Sequence, residues 1–356
     1  MQRFDIAVIP GDGIGLETVP AAWRVLELAG SLSGQFSLRP RTFDWSCRYY
    51  QQHGVMMPSD GLEILKDFDA IFLGAVGFPP VPDHVSLWGL LLPIRRTFDQ
   101  YVNLRPVKLL RGIRSPLCGY TAGDIDFVVV RENTEGEYSN SGGRLREGTP
   151  QEVVVQNSVF TRYGTERIIR YAFELAKSSR RSLASATKSN GINFSMPFWD
   201  EVFHAVGKDY PEVRQQLYHI DALCAYFVTR PQSFDVVVGS NLFGDILTDI
   251  GGAIQGSIGI AAAANINPER KYPSMFEPVH GSAPDIAGQG VANPIGQIWT
   301  AKMMVDYLGF SAVGTRILEA IENALDHGRK TADLGGTETT ASMTGAVMDE
   351  LRQLLR

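Results

Sequence analysis

Cysteine is scarce in this chain: Cys47, Cys118 and Cys224 are the only three in 356 residues. An odd number at wide spacing excludes a disulfide framework and a zinc-ligand pattern. It fits a reducing compartment, so a cytoplasmic location is expected. A basic surplus is missing too. Lys and Arg total 33 against 39 Asp and Glu, a net charge of -6, which argues against the basic face that nucleic-acid binding requires. No apolar run reaches the roughly 18 residues of a membrane span. The opening MQRFDIAVIPGDGIG enters a strand and a glycine turn directly, without the apolar core of a signal peptide. Internal repeats, low-complexity tracts and charged tails are absent. What remains is a globular composition, 44% hydrophobic and 20% charged, long enough for about two domains.

Strands alternate with helices along the chain. Phe4 to Pro10 is a short strand stopped by Pro10, and Gly11-Asp12-Gly13-Ile14-Gly15 is a flexible turn before the helical spacing of Leu16 to Leu28. The dinucleotide fingerprint lacks its third glycine and its later acid, so this reads as a βα turn beside a cleft. Asp69 to Gly77 is a second strand. In LWGLLLPIRRTF, Pro93 sits near a helix start or kinks the helix. Asn103 to Pro106 leads into extended chain. Ile125 to Asn133 is a strand with Arg131 at its C-terminal end, and residues 134–160 form an excursion with two β arms rooted at Tyr138. An amphipathic helix follows, with Ile168, Ile169, Ala172, Phe173 and Ala176 on one side. Lys188 falls in a strand-to-helix turn. Asp221 falls in VRQQLYHIDALCAYFVTRP, read as a mostly apolar helix. Glu277 to Pro294 is a Gly/Pro-rich loop before a helix from Ile295, and two more helices close the chain. This alternation implies α/β architecture with both faces of a sheet covered.

The stretch from Asp235 to Ala253 is the centre of the pattern. DVVVG reads as a buried strand, SNLFG as a tight connection and DILTDIGGAI as a helix opening. Asp245 and Asp249, four residues apart, share one helix face. They suit a hard divalent cation, or equally a favourable first-turn charge and a solvated face. Arg95, Arg105 and Arg131 lie beside element ends. Their guanidinium forks match the carboxylates of a di-anionic small substrate, although each alone also suits a surface ion pair. Lys188 and Tyr138 can act as base and acid when their environment tunes them. A carboxylate buried in an apolar helix, as expected for Asp221, needs a cation or a metal.

Six ordered motifs carry a resemblance: IPGDGIG, NLRP, VVVRENTEGEY, TKSN, GSNLFGDILTD and EPVHGSAPDIAGQGVANP. From Ile9 to about Gly309 the chain resembles the β-decarboxylating dehydrogenases, the family of isopropylmalate, isocitrate and D-malate/tartrate dehydrogenases. The resemblance implies an α/β, two-domain isopropylmalate-dehydrogenase-like fold, a non-Rossmann nucleotide site and a β-arm for dimerisation. Residues 1–100 and 255–356 would form the large nucleotide-binding domain. Residues 101–254 would form the small dimerisation and metal domain, with the clasp at about 134–160. Arg95, Arg105 and Arg131 would grip the substrate carboxylates, Lys188 would be the base and Tyr138 the acid. Asp221, Asp245 and Asp249 would hold Mn²⁺ or Mg²⁺. Lys188 and Asp221 would serve the neighbouring subunit of a homodimer. The nucleotide would be held by Ile14, Asn190, Glu277, His280, Gly281, Ser282, Ala283, Asp285 and Asn293. NAD is the nucleotide expected, because Asp285 and Ile286 stand where bacterial NADP-dependent isocitrate dehydrogenases carry a lysine and a tyrosine. K⁺ is a further cofactor to test.

The segment SLWGLLLPIRR resembles the D-malate/tartrate branch. Trp88 stands where isopropylmalate dehydrogenases carry a glutamate, and Gly89 where isocitrate dehydrogenases carry a serine. Trp88 and Leu91, with Leu90 and Leu92, would fill the space of a C3 substituent. The expected substrate is therefore a four-carbon 2-hydroxy diacid, D-malate or tartrate, with 3-isopropylmalate the alternative. A non-catalytic regulatory homologue would have lost part of the Arg/Tyr/Lys/Asp set, and none of its eight positions is lost.

Overall fold

The computed structural model describes residues 1–180 and 182–356. It begins with β1 (Gln2–Gly11), α1 (Gly15–Ser33), β2 (Phe36–Thr42), α2 (Cys47–His53), α3 (Gly61–Leu65), β3 (Ala70–Ala75) and α4 (Asp83–Ser86). A π-helical turn at Leu87–Leu91 leads into α5 (Leu92–Thr97), then β4 (Val102–Lys108) and β5 (Asp126–Glu132). The strands β6 (Gly142–Leu145) and β7 (Val153–Gln156) pair antiparallel. Next come α6 (Arg162–Leu175), β8 (Ser182–Thr187), α7 (Ser195–Gly207), β9 (Arg214–His219), α8 (Ile220–Thr229), β10 (Val236–Gly239) and α9 (Asn241–Ile254). The chain closes with β11 (Ala262–Ile266), β12 (Ser274–Pro278), α10 (Ile295–Tyr307), α11 (Ser311–Asp326) and α12 (Thr340–Leu354).

Several boundaries differ from those expected, each for a physical reason. Pro10 does not stop β1. It lies beyond the last pair with β2, Val8 with Thr42, so its missing N–H breaks no bond to that neighbour. Pro93 sits in the first turn of α5, and the wide turn before it is closed by the Leu92 N–H donating to the Leu87 carbonyl. The residues RQQLYH are strand β9, paired parallel with β8, so the helix that was to bury Asp221 begins only at Ile220. SNLFG is not a connection: α9 begins at Asn241 and only Ser240 intervenes. The Glu137 carboxylate accepts from the Ser240 hydroxyl at 2.7 Å and the Leu242 N–H at 3.0 Å. An acid distant in sequence thus satisfies one of the orphan N–H donors of the helix start.

The chain divides into two compact units. The first comprises Met1–Gln100, Leu104–Asp126 and Gly251–Arg356, and the second Tyr101–Asn103 and Phe127–Ile250. In the first unit the strand order is β2-β1-β3-β12-β11-β4. β1, β2, β3 and β12 run parallel and β11 antiparallel to β12. Both faces of this sheet are buried, as the pleat of β1 shows. Ile6 and Val8 join one core with α1 and α10, and Ala7 and Ile9 join another with Trp45, Leu73 and Ile94. In the second unit the order is β5-β10-β8-β9, all parallel. Its core is aromatic: Phe127 meets Phe227 with ring centroids 4.7 Å apart, and Phe173 stacks on Tyr210 at 5.0 Å. Among the described residues no helix is long and apolar enough to cross a membrane.

Candidate active site

The second unit gathers its functional side chains at the C-terminal ends of β5 and β10. Arg131 ends β5 and is 2% exposed. Its Nε and Nη2 donate to the Asn241 Oδ1 at 3.1 and 2.6 Å, and its Nη1 donates to Asp245. The Tyr138 hydroxyl donates to the other Asp245 oxygen at 2.8 Å. The Tyr138 ring lies 5.5 Å from the guanidinium carbon. Gly244 makes the approach of α9 to β5 possible, since a Cβ there would lie 2.6 Å from the Arg131 side chain. Asp249 follows Asp245 by four residues on α9 and is exposed. Asn241, Asp245 and Asp249 form one i, i+4 series. Asn241 was missed as a site residue, although that spacing marks it.

A second pair stands apart within the same unit. The Lys188 Nζ donates to the Asp221 Oδ1 at 2.8 Å. The Lys188 side chain is 29% exposed and that of Asp221 is 68% exposed. The burial expected for Asp221 is therefore corrected: it lies in the exposed first turn of α8. The Lys188 ammonium holds the Asp221 carboxyl below the usual range. Asn190, two residues beyond Lys188, is exposed.

Within one chain no group of three acids, histidines or cysteines among the described residues is placed to hold a metal ion. Asp245 and Asp249 offer hard carboxylate oxygens from successive turns. That donor chemistry fits Mg²⁺ or Mn²⁺, with further ligands from outside this pair.

The first unit carries the rest. The turn after β1 requires glycine twice. Gly11 has φ 74° and Gly13 φ 54°, and a Cβ on Gly13 would lie 2.0 Å from the Ser282 carbonyl oxygen. Ile14 is buried, and its N–H donates to that same carbonyl at 2.9 Å. Asp12 is 6% exposed. Its carboxylate accepts the Cys47 N–H with both oxygens and the Gly77 N–H with one, all at 3.1 Å. Burial, with the Asp12 carboxylate beside it, pushes the Cys47 thiol up to about 12 and leaves it unreactive. Glu17, in the first turn of α1, accepts the Gly288 N–H at 2.5 Å. These segments line a cleft of about 760 Å³ with Thr42, Phe43, Phe78, Pro284 and Ala287. Nothing in the spacing around Thr42 marked it as cleft wall.

The loop after β12 places its residues unevenly. His280 and Ser282 are buried, and Gly281 and Asp285 are exposed. Ala283 adopts φ 41°. Burial lowers the His280 pKa, and its Nδ1 donates to the Gly281 carbonyl at 3.0 Å in that neutral form. The Asn293 amide donates to Asp333 at 3.0 Å and its oxygen accepts the Ile295 N–H at 3.0 Å. Glu277 belongs to β12 and not to the loop. It is 6% exposed, pairs with the buried Arg95 and accepts from the Asn265 amide at 2.8 Å. Arg105, on β4, is 7% exposed.

On a regular helix a seven-residue spacing would bring Trp88 over Arg95. The π turn adds a residue to the count, and the Arg96 guanidinium instead lies 4.7 Å from the Trp88 ring. Trp88 is 36% exposed, whereas Leu91, four residues before Arg95, is 9% exposed. A Cβ on Gly89 would lie 2.6 Å from the Met56 Cγ, so a side chain at that position would force Met56 to shift.

Residues 5–350 match the family model described as isocitrate/isopropylmalate dehydrogenase. A probable tartrate dehydrogenase/decarboxylase of Bacillus subtilis (strain 168) is 58% identical over 355 residues, covering 99% of each chain. The D-malate dehydrogenase [decarboxylating] of Escherichia coli (strain K12) is also 58% identical, covering 98% of each. The tartrate dehydrogenase/decarboxylase of Pseudomonas putida is 54% identical, covering 99% of each. Among solved structures, the isocitrate dehydrogenase from Methylococcus capsulatus superimposes with a TM-score of 0.88 at 32% identity, covering 99% of this chain and 100% of that one.

Proposed function

Because the chain belongs to the isocitrate/isopropylmalate dehydrogenase family, we propose that it oxidises a four-carbon 2-hydroxy diacid, D-malate or tartrate, with or without loss of the β-carboxylate. The observation that carries the reading is the joined set Arg131, Asp245 and Tyr138, in a chain whose full-length relatives are named for these two substrates. Those relatives favour this reading over 3-isopropylmalate oxidation.

When bound, a divalent cation supplies Lewis acidity at the substrate hydroxyl and NAD⁺ supplies the hydride acceptor. Arg95, Arg105 and Arg131 bind the two carboxylates, whose charge their guanidinium forks match. Lys188 of the partner subunit takes the proton of the C2 hydroxyl. Tyr138 returns a proton to C3 after CO₂ leaves, and Asp245 orients its hydroxyl until then. D-malate is thereby converted to pyruvate and CO₂. Asp245 and Asp249 hold the cation together with Asp221 of the partner subunit.

The functional unit in this reading is a homodimer with shared sites. The Lys188–Asp221 pair, half-buried at Lys188 and exposed at Asp221, supports it. So do the exposed apolar residues Leu145 and Val154 on the β6–β7 arm, Val228 on α8 and Ile246 on α9. The nucleotide is NAD⁺ in preference to NADP⁺, since the exposed Asp285 can accept from a ribose 2′-hydroxyl and repels a 2′-phosphate.

The test is NADH absorbance with Mn²⁺ and a panel of D-malate, the tartrates, 3-isopropylmalate and isocitrate, repeated with NADP⁺. The largest kcat/KM is expected for a four-carbon acid with NAD⁺. A larger value for 3-isopropylmalate or isocitrate rejects the substrate, and a preference for NADP⁺ rejects the nucleotide.

A further inference from the structure

The turn after β1 and the first turn of α1 reach three other segments of the cleft through two carboxylates and one amide. Asp12 holds the start of α2 through Cys47 and the chain after β3 through Gly77. Glu17 holds Gly288. The Ile14 N–H holds Ser282. The same turn has few donors left for a phosphate. The N–H groups of Asp12, Ile14, Gly15, Leu16 and Glu17 all donate to protein carbonyls. In a glycine loop that cradles phosphate, such groups face the ligand instead.

We propose that Asp12 and Glu17 are positioning residues for the nicotinamide nucleotide: their carboxylates hold α2, the chain after β3 and the loop around Gly288 at the separation the nucleotide needs. The proposal rests on the nucleotide reading given above. Asp12 is suited to it because a buried carboxylate with N–H donors on both oxygens has little freedom to move. Glu17 is suited because its partner, Gly288, is in the loop that carries Asp285. Loss of either link leaves the chemistry intact and lets one wall of the cleft drift.

Calorimetric titration of NADH into the whole protein, without a dicarboxylate, reads this apart from turnover. Glu17→Ala should weaken NADH by about tenfold and raise KM for NAD⁺ similarly, with kcat at saturating NAD⁺ within about twofold of wild type. Glu17→Gln keeps an oxygen that accepts the Gly288 N–H, so it should retain wild-type affinity. Asp12→Ala removes every acceptor for the Cys47 and Gly77 N–H groups and should weaken NADH as Glu17→Ala does. If Asp12→Ala does not fold, the two Glu17 variants decide. Unchanged NADH affinity in Glu17→Ala, with only a lower melting temperature, overturns the inference. Equal losses in Glu17→Ala and Glu17→Gln overturn it too. Wild-type protein that binds neither NADH nor NADPH removes the underlying reading and the inference with it. Wild-type binding that Glu17→Ala does not change removes the inference alone.

Discussion

The Tyr138 hydroxyl donates to Asp245 over 2.8 Å, which joins the candidate proton donor to the candidate metal ligand. The buried Arg131 guanidinium pairs with the same carboxylate, so three proposed roles meet on one side chain.

Asp245→Asn should therefore affect more than one property. Removing the charge takes away an anionic ligand and the partner of Arg131. The Mn²⁺ concentration for half-maximal rate should rise by about 10- to 100-fold, and kcat should fall with it. Metal titrations of both proteins check this. An unchanged curve would reject Asp245 as a ligand.

Shared active sites predict complementation. Lys188→Ala and Tyr138→Phe should each be nearly inactive alone. Mixed under conditions that allow subunit exchange, they should recover up to about a quarter of wild-type activity, because about half of the dimers are hybrids and every hybrid carries one intact site of two. Mass spectrometry of differently tagged chains verifies exchange. Proven exchange without recovery counts against sharing.

Glu132, beside Arg131, predicts a pH dependence of stability. Burial pushes its carboxyl up to about 7, against the hydrogen bonds from Glu135 and Thr134 that favour the charged form. The folded state thus keeps a proton that the unfolded chain releases near 4.5. Stability contributed by that proton is fully present below 4.5 and is lost as pH rises toward 7. The loss is at most about 3 kcal/mol. Glu132→Gln does not titrate, so the stability difference between wild type and variant should shift across this window and level off above it. Urea unfolding midpoints from pH 5 to 8 measure the difference. A constant difference would falsify the assignment.

Much of this protein was written in the order of its residues. Alternating strand and helix patterns declared the α/β class, because apolar runs of four to six residues bounded by glycine can be buried only in a covered sheet. The Asp245 and Asp249 pair was visible because four-residue spacing on a helix is a local property. What local spacing could not decide was who meets whom. Asp221 looked buried because its neighbours are apolar, yet pairing of β9 with β8 outweighed the helical reading and left it exposed against Lys188. The start of α9 depended on Glu137, more than a hundred residues away in sequence. The face presented by Trp88 depended on the π turn at Leu87–Leu91, which contains Gly89 and precedes Pro93. Asp12 was visible only as part of the IPGDGIG motif and Glu17 not at all, and neither was marked as a link between segments. Their meaning lies in backbone N–H groups of Cys47, Gly77 and Gly288, which every residue but proline possesses, and only folding brings those groups within hydrogen-bonding distance.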